Sequence, residues 1–489
     1  MNQDIHSLLD NTNSGTVCES GYESVATQNV ESVEEAKPNR FPQYFAAFAA
    51  TLSALAAGTV LGWTSPILEE LEQGHFRNIS LTNDQIGWIG SFVTLGGMAI
   101  CIPAGFLCDL IGRKKTLLLL IFPFTIGWLL ILLAKNVLML YFGRLITGLA
   151  AGACCIAAPL YTSEIAHKTL RGTLASYFQL MVTVGILLAY LIGKYLTALQ
   201  FTIWCACLPF GFVILFMIQP ESPTYLIKKG FYDEAKSSLV KLRGQLYNVD
   251  SEFNETEACL KESSRSTISL RETIRKKTVI KAFIITFALY FFQQFSGVNV
   301  IIFYTTDIFK ASGTKLDPQT AAILVGVFQV ITTFISSLTI DKLGRRILLL
   351  TSALLISVST LLLAVYFTVK YRAHVDSNIL AEWSFLPVTS VSIFIIAYSL
   401  GLGPIPWVIA VEVFPTEIQS ITSSIGGTFN WFLAFVLTKS YLSIADVIGQ
   451  DSTFYIFSFL SLAGVIFIYF VLPETKGKTN IEIQTALEN

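Results

Sequence analysis

Twelve stretches of this chain are apolar over about the 20 residues that a helix needs to cross a bilayer. They run 44–64, 85–107, 116–134, 138–160, 173–193, 199–219, 279–307, 319–340, 347–369, 386–411, 420–441 and 453–472. The connections are short except for 220–278, which holds eleven Lys and Arg with matching acids. Within it "YDEAKSSLVKLRG" reads as a short surface helix. The pattern predicts an all-α membrane protein: a disordered tail over 1–40, a six-helix bundle over 41–219, a helical linker over 220–278, a second six-helix bundle over 279–472, and a tail over 473–489.

The polar punctuation repeats. "DLIGRK" begins at Asp109 and "DKLGRR" at Asp341, each after the second span of its half. "PESP" (220–223) follows span six and "PETKG" (473–477) follows span twelve; Glu164 and Glu412 follow spans four and ten. Two halves with matching marks describe a transporter whose substrate site lies between them, near mid-membrane. Lys and Arg crowd into the tiny loops at "GRKK", "HKTLRG" and "DKLGRR", which places those loops, the linker and both tails in the cytosol. Asn78 of "NIS" then falls outside as a glycan acceptor, and Asn254 of "NET" falls inside, where it stays bare.

Composition narrows the classes. The 489 residues are 53% hydrophobic and 14% charged, with a net charge of −1, so no nucleic-acid partner is indicated. The first 36 residues are polar, so no cleavable leader is expected there. Eight cysteines show no metal spacing and are expected as free thiols. No nucleophile–base or metal set is visible, so neither an enzyme, a metal nor a cofactor is expected.

The chemistry centres on "YFFQQFSGVNVIIFY" (290–304), which puts Gln293, Gln294 and Asn299 inside span seven. An unpartnered amide there costs several kcal/mol. In an unbroken helix Asn299 would point about 140° from Gln294 and about 240° from Gln293. Ser296–Gly297 between them permits a bend or unwinding. A discontinuous span seven with its amides on a wet cavity is therefore expected, and uncharged amides suit sugar hydroxyls. Interhelical hydrogen bonding is the competing use of such residues. Pro404 and Pro406 remove two helical donors from "GLGPIPW" and, with Gly403, predict a break and hinge in span ten.

Together these marks resemble the sugar porter family of the major facilitator superfamily. The resemblance rests on "GFLCDLIGRKK", "GRLITGLAAG", "PLYTSEIAHKTLRG", "PESPTYL", "QQFSGVNVIIFYT", "DKLGRR", "GPIPW" and "PETKGKT", in order from Phe41 to Thr479. "GLGPIPWVIAVEVFP" and "FNWFLAFVLTKSY" are most similar to insect facilitated trehalose transporters and related glucose facilitators. The resemblance implies the major facilitator fold and sugar contacts from Gln179, Gln293, Gln294, Asn299, Gln329 and Asn430. Gln329 stands where many relatives have Asn. Trp407 would lie on the sugar ring, or in an interfacial belt as Trp431 also could, and Tyr304 would act as an outer lid.

Asp109, Arg113, Glu164, Arg171 and Glu221 in the first half, with Asp341, Arg345, Arg346 and Glu412 in the second, are expected to form ion pairs that clasp the cytosolic ends and separate when the carrier faces inward. Gln419 replaces a usual Arg and Thr224 another. Arg144 inside span four needs partners on a neighbouring helix. Span one contains no Asp, Glu or His, which favours facilitated diffusion of a neutral sugar, trehalose or a hexose such as glucose, over proton symport. A non-transporting sensor is the alternative from another class. A monomer in the plasma membrane, in contact with lipid, is expected. Asp4 with Leu8 and Leu9 resembles an adaptor-binding signal for endosomal cycling.

Overall fold

The computed structural model describes residues 38–489 apart from 168, 266–274, 373–381, 415–417, 477, 479 and 489, and gives only the backbone at a few more, among them 341 and 419. Asp4, Leu8 and Leu9 lie outside the described residues. The body from Pro38 onward is helical, with twelve helices long and apolar enough to cross a membrane. Spans one to six are Phe41–Glu72, Asp84–Ile111, Arg113–Leu132, Val137–Ile165, Arg171–Tyr195 and Ala198–Phe216. Spans seven to twelve are Lys277–Ser312, Pro318–Ile340, Arg345–Tyr371, Leu386–Ala410, Ile421–Ile448 and Gln450–Val471. Among the described residues, three linker helices, Pro223–Lys228, Tyr232–Arg243 and Val249–Arg265, lie between the halves in sequence.

Two stretches read as non-helical are helical. Residues Thr64–Glu72 continue span one, because Ile67, Leu68 and Leu71 form an apolar stripe that is buried. The last segment contains a helix, Asn480–Glu488, whose Ile483 and Leu487 are buried.

Each half packs its own spans: one on five and four, and two on four, in the first; nine on ten and twelve, and seven on eleven, in the second. The halves meet where span two packs on eleven and span five on eight. The polar bonds between halves cluster at the end away from the linker, here called the distal end. Tyr190 Oη donates to the Ile302 carbonyl at 2.6 Å and Ser65 Oγ lies 2.9 Å from Thr306 Oγ1. Three ion pairs cross there: Lys194–Asp317 at 2.8 Å, Lys310–Glu69 at 3.2 Å and Lys439–Asp84 at 2.5 Å.

Candidate functional site

Span seven breaks at the Ser-Gly pair. Its first helix ends at Phe295, Gly297 takes φ +93°, and a second helix starts at Val298. Only glycine suits this position: the backbone is left-handed, and a Cβ would lie 2.7 Å from the Phe457 ring of span twelve. The break lets Asn299 Nδ2 reach Gln294 Oε1 at 2.6 Å, which a straight helix forbids. Gln294 Nε2 donates to Asn430 Oδ1 at 2.9 Å, and Asn430 Nδ2 donates to Gln293 Oε1 at 2.7 Å. Four amides from spans seven and eleven thus form one continuous chain. Gln293, Gln294 and Asn430 are buried and Asn299 is half-buried at its end.

Span ten explains why Gln293 is there. The helix widens to π geometry over Tyr398–Leu402, and Gly403 N donates to the Tyr398 carbonyl at 2.8 Å. Pro404 and Pro406 supply no N–H to the carbonyls four residues back, those of Leu400 and Leu402. Both carbonyls are served by other helices. Ser336 Oγ of span eight donates to Leu400 at 3.1 Å, and Gln293 Nε2 donates to Leu402 and to Gly403, each at 2.8 Å. Both Gln293 amide hydrogens and its oxygen are committed to protein. In this structure Gln293 braces the broken span ten and passes the amide chain onward.

Trp407 packs its ring 5.0 Å from Tyr290 and is 37% exposed. It lies at the seam between halves: a Cβ on Gly427 would sit 3.7 Å from Trp407 and 3.9 Å from Cys101 of span two. The half-exposed Trp407 ring therefore lies at the seam on the linker side of the Gln293 contact with span ten. Trp431 is a second seam residue, its ring against Gly97. Gln179 is half-buried in span five and Gln329 is buried in span eight. Neither side chain is bonded to the amide chain, and both amides have no hydrogen-bond partner among the described residues. Tyr304 is fully buried at the distal closure, stacked 5.5 Å from Tyr441 and close to Gly90 of span two.

The linker-end charges form two matching joints, each within a half. Arg113 Nη2 meets Glu164 at 2.8 Å and its Nη1 meets Asp109 at 3.2 Å; Arg345 Nη2 meets Glu412 at 3.1 Å. Ser222 Oγ donates to Glu164 and Thr475 Oγ1 to Glu412. Glu221 and Glu474 cap helix starts: Glu221 accepts from Lys114 N at 2.9 Å, and Glu474 accepts from Arg345 N at 3.0 Å and Arg346 N at 3.1 Å. Gly112 and Gly344, at φ +105° and +90°, let each carboxylate approach. Burial pushes the Glu474 carboxyl up, but these backbone donors outweigh it and hold the group below its usual range.

These pairs tie helices of one half together. Arg346 instead donates to the Tyr469 carbonyl, and Arg171 is exposed at the start of span five. The side chains of Asp341 and Gln419 lie outside the described residues. Arg243, not anticipated, is buried, pairs with Glu252 at 2.6 Å and donates to the Ile165 carbonyl at 2.8 Å, fixing the linker to span four.

Arg144 is fully buried. Its guanidinium donates to the Val60 carbonyl (2.9 Å), the Ile89 carbonyl (3.3 Å) and Thr64 Oγ1 (3.2 Å), and lies 5.0 Å from the Trp63 ring. Its partners are carbonyls, a hydroxyl and an aromatic face, with no carboxylate among the described residues. The six described cysteines are free thiols.

Two six-helix halves with duplicated joints, meeting over broken spans that carry uncharged amides, define a carrier of the major facilitator fold. The chain belongs to the sugar transporter family: the family model described as sugar (and other) transporter matches residues 24–487. It is 34% identical over 445 residues to the facilitated trehalose transporter Tret1 of Bombyx mori, covering 91% of this chain and 86% of that one. It is 35% identical over 443 residues to the Tret1 of Apis mellifera ligustica, covering 90% and 87%. Among solved structures, the xylose transporter XylE from E. coli, in a partially occluded inward open conformation, superimposes with a TM-score of 0.75 at 21% identity, covering 89% of this chain and 99% of that one.

Proposed function

We propose that this protein is a facilitative carrier of a neutral sugar, trehalose or a hexose such as glucose, and works by alternating access. It is a multi-pass membrane carrier and not an enzyme. The observation that carries the reading is the uncharged amide chain ending at Asn299, beside a seam lined by Trp407. Gln294, Asn299 and Asn430 exchange some of their mutual bonds for sugar hydroxyls, and Gln179, Gln329 and Trp407 complete the site from other spans. The curated relatives transport trehalose by facilitation, which supports the substrate class.

Uniport rather than proton symport is supported by the stretch 44–64 of span one, which carries no acid (Glu69, Glu70 and Glu72 lie at its distal end), and by Arg144, whose charge is held by carbonyls and not by a titratable acid. The Lys and Arg bias puts the linker end in the cytosol, so the seam faces inward, the distal ion pairs close the outside, and the exposed Asn78 accepts a glycan. The protein acts as a monomer at the plasma membrane. The test is uptake of labelled trehalose and labelled glucose into vesicles holding the purified chain, with and without an imposed proton gradient. Equilibration of sugar to equal concentrations, unaffected by the gradient, is expected. Accumulation driven by protons would overturn uniport, and no uptake of either sugar would favour the sensor.

A further inference from the structure

At the linker end, spans one and six and the second linker helix enclose a groove of about 300 Å³ that the sugar path does not use. Its floor is apolar: Phe41, stacked on Phe45 at 6.3 Å, faces Ile218. Phe41 is 74% and Ile218 71% exposed. Phe41 opens span one and Ile218 lies in the turn just past the end of span six, where exposed apolar side chains meet lipid. The rim is polar and positive. Gln219 and Lys241 line it, and Arg40 precedes Phe41. Arg40 and Lys241 are exposed and have no ion pair among the described residues.

The frame is rigid. Arg243, beside Lys241 in the chain, is locked to Glu252 and to span four, and Asn39 N donates to the Arg243 carbonyl at 2.7 Å. Glu221, the neighbouring acid, is committed to the backbone N–H groups of Lys114 and Ser222. Lys114 lies within electrostatic reach of Glu221 first and of Lys241 second, so that acid is offset by Lys114. Two uncompensated cations over an apolar floor, at the level where spans begin and end, match one ligand chemistry. A phosphodiester headgroup satisfies the cations while an acyl chain covers the aromatic floor.

We propose that this groove binds one anionic glycerophospholipid of the linker-side leaflet, its phosphate between Arg40 and Lys241 and one acyl chain along Phe41, Phe45 and Ile218. The choice of leaflet rests on the orientation proposed above; the binding chemistry does not. The bound lipid joins the start of span one to the linker.

The full chain, purified in detergent and exposed to phosphatidylserine or phosphatidylcholine, is examined by native mass spectrometry. One phosphatidylserine is expected to be retained at least about fivefold over phosphatidylcholine, the effect of a single lysine at an anionic surface. Arg40→Gln with Lys241→Gln should abolish that preference, while a distal control, Lys135→Gln, keeps it. Sugar uptake by the double variant in phosphatidylcholine vesicles shows that it folds, and this readout fails separately if the transport reading is wrong. Equal retention of the two lipids by the wild type, or an undiminished preference in the double variant, would refute the site. So would displacement of the lipid by excess inorganic phosphate, which would mean that the apolar floor contributes nothing.

Discussion

Removing two of the three lysines that bridge the halves should open the distal end. Lys194 pairs with Asp317 and Lys439 with Asp84, and each pair joins one half to the other. Asp317 and Asp84 are half exposed or more, so each pair contributes only about 0.2–1 kcal/mol. Lys194→Gln with Lys439→Gln therefore shifts the balance by about 0.4–2 kcal/mol, or about 2- to 30-fold toward the distally open state. Spin labels at Tyr195→Cys and Leu316→Cys, both exposed at the ends of spans five and eight, read the two states as two distance populations. The longer population should grow in the double variant, and salt should shift the wild type more than the variant because the pairs are screened. The control Lys135→Gln removes a distal lysine that has no ion pair among the described residues. An unchanged population ratio, or an equal shift in the control, would refute the idea that these pairs hold the closed state.

Asn299→Ala and Gln294→Ala remove one and two links of the amide chain. Each should weaken sugar affinity by about 5- to 30-fold, equivalent to about 1–2 kcal/mol, with surface level unchanged by biotinylation; wild-type uptake kinetics in both would exclude the site. Gln293→Leu strips the Leu402 and Gly403 carbonyls and an Asn430 N–H of their partner, at about 1–3 kcal/mol for each buried group. Its thermal unfolding in detergent should fall further than that of Ser336→Ala, which frees one carbonyl; equal stabilities would remove the brace. The Lys194 and Thr320 hydrogen bonds hold the Asp317 carboxyl below its usual range. The contribution of that pair is therefore complete above pH of about 4 and fades only as pH falls through the lowered value. The difference between wild type and Lys194→Gln in the spin-label assay should be flat from about pH 5 to 8, and a midpoint inside that window would contradict the assignment.

The twelve spans and the two halves were legible because burial in lipid demands long apolar runs and because the punctuation repeats. The break at Gly297 was legible for a geometric reason: three amides on one straight helix could not converge. What Gln293 holds was not read from the sequence, although counting back four residues from Pro404 and Pro406 names the Leu400 and Leu402 carbonyls. The linker-end charges were recognised, but their individual partners were not assigned. The repeat points to them, since "PETKG" makes Glu474 the counterpart of Glu221 and both sit within their own half. The lysines of the distal closure left no local signal. Lys194 and Asp317 are joined only by the tertiary packing of span five on span eight, and Lys439 and Asp84 by that of eleven on two.

One amide has two masters. Gln293 serves the vacated Leu402 carbonyl with its nitrogen and Asn430 with its oxygen. In the carrier proposed above, a sugar that draws Asn430 toward itself would tug, through a single side chain, on the broken stretch of span ten. Occupancy and bending would then share a residue, with no relay between distant sites.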